Sequence, residues 1–268
     1  MTRIGIVGCQ GRMGQMLVRE VLATDGVSLA GGTERAGSDA IGRDLGELLG
    51  IGANGLTVGD DAGTLFGCAD VVIDFTAPAA VPLHAELAAA GGTAYVLGTT
   101  GLTADQEQGL RQASGRVPVV WAPNMSVGVT LLMSLVERVA AVLDADTYDA
   151  EIVEMHHRHK VDAPSGTALG LGRAVAAGRG VALDQVWRKT RDGHTGARPK
   201  GEIGLATLRG GDVVGDHQVI FAADGERIEL GHRASSRQVF AKGAVRAARW
   251  AAGRPPGLYS MKDVLGLK

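Results

Sequence analysis

At 268 residues the chain has room for one large domain or two smaller ones. Its formal charge of −2 excludes a global field that gathers nucleic acid or anionic membrane, and 4% aromatic residues leave few platforms for stacking bases. Hydrophobic residues at 45% and charged residues at 21% exclude a disordered chain. No apolar run nears the ~20 residues that cross a bilayer. The opening MTRIGIVGCQG starts a strand rather than a leader, and Cys9 and Cys68 are expected free, so the expectation is a cytoplasmic protein.

In chain order, RIGIVG (3–8) reads as a buried strand, MGQMLVREVLA as a helix with apolar residues at helical spacing, and VSLAGGT as a second strand. Strands follow at 71–75, 94–98 and 117–122, separated by helical stretches near 79–90 and 103–114. This β–α–β rhythm predicts a doubly wound parallel sheet with right-handed crossovers. The second half differs. SVGVTLLMSLVERVAAVL is a long helix, YDAEIVEMHH a strand and PSGTALGLGRAVAAG a helix. EIGLATLRG, DVVGDHQVIFAA and GERIELGHR are three further strands, the last two a hairpin. Ser235 and Ser236 are candidate caps for a helix over RQVFAKGAVRAARWAAG that RPPG ends. The fold class expected is α/β: a doubly wound parallel sheet over 1–126, completed by 237–268, and an α+β domain over 127–236 with a mixed, largely antiparallel sheet.

VGCQGRMG places Gly8, Gly11 and Gly14 between the first strand and the first helix. Glycines there let the backbone approach a pyrophosphate seated on the helix N-terminus, the Rossmann-type arrangement, and Arg12 adds a charge for phosphate. A tight βα turn alone would use the same glycines. Glu34 ends the second strand 20 positions after Gly14, where a ribose hydroxyl partner is expected, and this favours a dinucleotide site. Arg35, beside it, suits the 2′-phosphate of NADP, although a surface ion pair would also explain the dipeptide. DFTAP (74–78), GTTG (98–101) and APN (122–124) end later strands, where open α/β sheets bind ligands.

EMHHRHKVDAPSGTA, from Glu154 to Ala168, gathers His156, His157, His159 and Lys160 before a turn. A metal site would lack a nearby cysteine or clear third ligand, and Lys160 repels a cation. Pro164 is expected to open the helix, with Ser165, Gly166 and Thr167 offering N–H groups and hydroxyls as an anion seat. With His157 and Lys160 that seat suits a carboxylate, and His156 or Lys160 supplies a proton.

Together EMHHRHKVDAPSGTAL, GCQGRMG, GTTG, APNMSVGV, LRGGDVVGDH and GHRASSRQVFAKGAV resemble the dihydrodipicolinate reductase family, in order and over nearly the whole chain. The resemblance implies a nucleotide domain carrying NADPH or NADH and a central domain that binds a dicarboxylate substrate and builds a homotetramer through its sheet. It implies that Gly8, Cys9, Gln10, Gly11, Arg12 and Met13 hold the pyrophosphate, Glu34 the ribose and Arg35 the 2′-phosphate. Gly98, Thr99, Thr100 and the segment Ala122, Pro123, Asn124 and Met125 would line the nicotinamide side. His156 would be the acid/base residue, Lys160 a proton donor, and His157, Lys160, Ser165, Gly166 and Thr167 the substrate-binding residues. Ala77 stands where related sequences can carry a basic residue, which leaves both cofactors open.

The reaction implied is reduction of 4-hydroxy-tetrahydrodipicolinate to tetrahydrodipicolinate with loss of water, in diaminopimelate and lysine biosynthesis. Another NAD(P)-dependent reductase would keep the glycine loop without the tandem histidines and lysine. A dinucleotide-sensing protein without catalysis would be expected to lack His156 or Lys160.

Overall fold

The computed structural model describes residues 1–267, which form two compact units: 1–127 with 238–267, and 128–237. The first unit opens with β1 (Thr2–Val7), α1 (Arg12–Leu22), β2 (Val27–Thr33), α2 (Leu45–Leu48) and α3 (Ala62–Cys68). It continues with β3 (Val71–Asp74), α4 (Val81–Gly91), β4 (Ala94–Leu97), α5 (Ala104–Ser114) and β5 (Pro118–Trp121). The second unit holds α6 (Val127–Val142), β6 (Asp149–His156), α7 (Gly166–Gly178), α8 (Leu183–Val186) and β7 (Trp187–Arg188). β8 (Ile203–Arg209), β9 (Gly215–Ala223) and β10 (Glu226–Ala234) complete it. The chain then returns to the first unit with α9 (Gln238–Ala251), β11 (Gly257–Tyr259) and α10 (Met261–Leu265).

In the first unit the strand order is β11-β5-β4-β3-β1-β2, with every pairing parallel. Both faces are covered. Ile4, Ile6, Val71, Ile73 and Val96 pack toward α1 and α9 residues such as Leu17 and Ala244. Val72, Tyr95, Leu97 and Val119 pack toward Leu65, Ala85 and Leu110 of α3, α4 and α5. Burial on both faces is why these strands read as continuous apolar runs rather than alternating ones. Two features lay outside the sequence reading. α2 and α3 are short helices, each started by an aspartate cap: Asp44 accepts from Gly46 and Glu47, and Asp61 from Gly63 and Thr64. β11 follows the RPPG stop and adds a sixth strand beside β5.

The second unit's sheet runs β10-β9-β6-β8-β7. It is mixed: β9 pairs antiparallel with β10 and β6, whereas β8 pairs parallel with β6 and β7. Antiparallel pairing is therefore confined to the β6–β9–β10 half. The hairpin expected at Asp224–Gly225 is present, with Gly225 at φ 86° supplying the turn's left-handed residue. The parallel half arises because β6 crosses to β8 through α7 and α8, a connection that run-by-run periodicity does not reveal. Val136 of α6, Ile152 of β6, Leu171 and Val175 of α7 and Phe221 of β9 form this unit's core.

Candidate active site

In the first unit the site is built on the β1–α1 turn. Gly8 has φ 69°, and a Cβ there would press on the Thr76 side chain at 2.8 Å. The N–H groups of Gly8 and Cys9 donate to the Thr33 carbonyl at 2.8 and 3.1 Å, and Gly11 N donates to the Gly8 carbonyl at 3.0 Å. Gly11 caps α1, and a Cβ on Gly14 would overlap the Gly8 carbonyl and the Cys9 backbone. The first turn of α1 thus sits directly on the loop, its amides at the rim of a groove of about 1310 Å³. Gln10, Arg12, Met13, Glu34, Arg35 and Thr76 line this groove. Glu34 Oε1 accepts from Gln10 N at 2.8 Å, tying the end of β2 to the glycine loop. A loop that excludes side chains at Gly8 and Gly14, a helix start and an acid after β2 are what a dinucleotide requires, so the residues present fit that group.

Not every residue expected here reaches the groove. The Cys9 side chain is fully buried against Gly32, and burial, with Glu34 adding, pushes its thiol up to about 12. It is a core residue, and its amide is already spent on Thr33. Gly98, Thr99, Thr100 and the 122–125 segment lie at the ends of β4 and β5, outside the lining of this groove. Ala122 and Met125 pack into the core, while Pro123 is exposed and Asn124 half-buried, its Oδ1 accepting from Ser126 N at 2.8 Å. A Cβ on Gly98 would strike the Phe75 ring, and Thr99 is buried with its hydroxyl unpartnered.

Arg43 also lines the groove and was not legible in the sequence, nor was a buried cluster around Asp74. Asp74, fully buried at the end of β3, accepts from His84 Nδ1 at 2.7 Å, Tyr95 Oη at 2.6 Å and both the amide and hydroxyl of Thr76. A carboxylate closing the apolar strand VVID was the available signal. Arg43, in an irregular loop, carried none.

In the second unit β6 alternates strictly, so Ala150, Ile152, Glu154 and His156 share its buried face. Glu154 is 1% exposed and His156 is 8% exposed. The Glu154 carboxylate accepts the Nδ1–H of His156, hydrogen bonds from Arg209 Nη1 and Nη2 at 3.0 and 3.1 Å, and the Ser165 amide at 3.0 Å. Burial drives the Glu154 carboxyl up, but Arg209, Ser165 and His156 together hold it below its ordinary value. Burial lowers His156; Glu154 opposes this, and Lys160 and Arg209 reinforce it. The His217 ring stands edge-on to His156 at 5.0 Å, its Nε2 3.2 Å from Ser165 Oγ. Burial, then His156, pushes His217 down to about 4. Glu154, His156 and His217 lie close enough to hold a cation. Yet Arg209 engages both Glu154 oxygens, and its charge opposes a second cation there.

The turn after β6 differs from expectation at Pro164 and at Ser165. Pro164 precedes the helix instead of opening it; Ser165 is the N-cap of α7. Ser165 is buried, its hydroxyl accepting from Ala168 N at 3.1 Å and its amide committed to Glu154, so it fixes the seat rather than offering donors to it. Gly166 is exposed at the first helical position and Thr167 is half-buried. His157 Nε2 accepts from Arg237 at 3.3 Å, which leaves the ring proton on an enclosed Nδ1, and burial followed by Arg237 lowers its pKa. Lys160 Nζ donates to Asp162 Oδ1 at 2.7 Å. Glu154, Arg209 and His217 were missed in the sequence, although a glutamate at an inward position two residues before a histidine was a visible signal.

A parallel sheet whose first turn is a glycine cradle under a long groove defines the Rossmann class of dinucleotide-dependent oxidoreductases. Within that class the chain belongs to the dihydrodipicolinate reductase family: the family's N-terminal region matches residues 2–125 and its C-terminal region residues 128–265. It is 55% identical over 262 residues to "4-hydroxy-tetrahydrodipicolinate reductase 1" of Mesorhizobium japonicum, covering 98% of this chain and 96% of that protein. It is 56% identical over 264 residues to "4-hydroxy-tetrahydrodipicolinate reductase" of Ruegeria pomeroyi, covering 98% of both. Among solved structures, "Dipicolinate bound Dihydrodipicolinate reductase from Paenisporosarcina sp. TG-14" superposes with a TM-score of 0.76 at 27% identity, over 97% of each chain.

Proposed function

We propose that this chain reduces 4-hydroxy-tetrahydrodipicolinate to tetrahydrodipicolinate with loss of water, using NADPH or NADH, in diaminopimelate and lysine biosynthesis. Relatives of that name at 55% and 56% identity support the reaction. The observation that carries the site is the buried Glu154–His156 pair, clamped by Arg209, with Lys160 and the start of α7 in the same short segment.

In this reading the groove of the first unit takes the cofactor. The loop from Gly8 to Met13 lies along its pyrophosphate with the start of α1 facing the phosphates, Glu34 holds a ribose, and Arg35, with Arg43, a 2′-phosphate. The loops at 98–100 and 122–125 serve the nicotinamide side. When bound, the reduced nicotinamide supplies the hydride.

The second unit handles the proton and the carboxylates. Because Glu154 takes the Nδ1–H, the free nitrogen of a neutral His156 is Nε2, an acceptor. A lowered pKa keeps His156 in that neutral form near pH 7, so the proton delivered comes from Lys160, the cation in this segment. His156 takes up or relays a proton at Nε2. The start of α7 carries about half a positive charge and, with Lys160, seats a dicarboxylate. His157 shapes the wall. Assembly of a homotetramer through the second unit's sheet accords with Leu208, 49% exposed, and Ile228, 37% exposed, on its strands. A cytoplasmic location accords with the absence of any membrane-crossing helix among the described residues.

The test is loss of nicotinamide absorbance on adding freshly generated substrate. Turnover supports the reductase; tight dinucleotide binding without turnover supports a sensor instead.

A further inference from the structure

We propose that Asp162 is a resident counter-ion for Lys160 that holds down the affinity of the substrate seat for carboxylates. The inference rests on the reading of Lys160 as a substrate-binding residue. Among the described residues Asp162 is the only carboxylate within 4.0 Å of the Lys160 ammonium, at 2.7 Å. The lysine side chain is largely enclosed, 20% exposed, while that of Asp162 is 57% exposed. The acid is thus the more solvent-exposed partner of the pair.

The side chain of Asp162 is not what holds the loop. Its backbone carbonyl accepts from Arg209 Nη2 at 2.6 Å, and the same guanidinium engages both oxygens of Glu154. The main chain at 162 is anchored to the Glu154–His156 pair whatever the side chain does. A carboxylate that is dispensable for the loop, yet placed on the lysine of an anion seat, is a competitor for that lysine.

The charges of the seat follow. Lys160 brings one positive charge, and the N-terminus of α7 a partial one. Burial keeps His156 and His157 toward their neutral forms. Asp162 offsets part of the lysine's charge. An ammonium has further donors to offer, but two carboxylates around one ammonium repel each other. An incoming carboxylate must therefore share Lys160 with Asp162 or displace it. A ligand with a second carboxylate recovers that loss at the helix start; a monoacid does not.

The experiment titrates pyridine-2,6-dicarboxylate calorimetrically into the full-length protein, with and without saturating NADPH. Wild type is compared with Asp162→Asn, Asp162→Glu and Lys160→Ala, each checked for an unchanged thermal midpoint. Asp162→Asn should bind about threefold to fivefold more tightly at low salt, with the gain shrinking as salt is added. In steady state its KM for substrate should fall without a rise in kcat. Asp162→Glu, which keeps the charge, should stay near wild type. A merely structural Asp162 would weaken binding when replaced, the opposite sign. Equal or weaker binding by Asp162→Asn, beside a clear loss in Lys160→Ala, overturns this inference alone. Unchanged binding by Lys160→Ala overturns the assignment of the seat, and this inference with it.

Discussion

Glu154 accepts the Nδ1–H of His156 from two residues away on the same buried face of β6, and this bond decides which nitrogen of a neutral His156 carries the proton. Glu154 also raises the His156 pKa against burial. Glu154→Gln should therefore push His156 further down, moving the acid limb of the kcat profile to lower pH. It should also lower kcat about tenfold to hundredfold by loosening the ring. A pH–rate profile checks both, and an unchanged limb with unchanged kcat would remove Glu154 from the account.

Cys9 should not alkylate in the folded protein, with or without NADPH, because it is fully buried and its thiol lies near 12. Cys68 is exposed and should react. Mass spectrometry should find one adduct on the native protein and a second only after denaturation. Cofactor-dependent labelling of Cys9 would place its sulfur in the groove.

His217 links stability to pH. Its folded value is about 4 against an ordinary ~6.5, and it is 5% exposed. Between those values the unfolded chain binds a proton that the native ring refuses. Stability is therefore complete above ~6.5 and falls as pH drops toward 4, by roughly 3 kcal/mol at most. Denaturant unfolding of wild type and His217→Gln across that window should show a shallower decline for the variant. Parallel declines would contradict the burial of a neutral ring.

Arg35 is exposed on the groove wall, after the acid that suits a ribose. Arg35→Ala should weaken NADPH about tenfold while leaving NADH nearly unchanged, as loss of a charged contact to the 2′-phosphate requires. Fluorescence titration with both cofactors checks it. Equal losses would assign the phosphate elsewhere, with Arg43 the next residue to test.

Much of the first unit was legible because local signals agree there: apolar runs, glycine turns and helix periodicity all describe β1, α1 and β2 as they stand. Less was legible where long-range pairing decides. β11 has three residues and gains its place only from β5. The parallel pairing of β6 with β8 depends on a crossover that no short window contains. At the site, the histidines and lysine were visible as a dense motif. Their partners were not: Arg209 lies 55 residues from Glu154, and His217 52 residues from Ser165. For Cys9 and Ser165, loop membership said nothing of side-chain direction: one side chain turns into the core and the other caps α7.

The most direct test compares wild type with His156→Gln, given NADPH and freshly generated 4-hydroxy-tetrahydrodipicolinate. Wild type should consume NADPH. The variant should fold, bind NADPH with unchanged affinity and lose ~10²-fold or more in kcat, because glutamine cannot carry a proton near neutral pH. A kcat within a factor of about three of wild type would contradict a proton-handling role for His156 and leave the Glu154–His156 pair as scaffold.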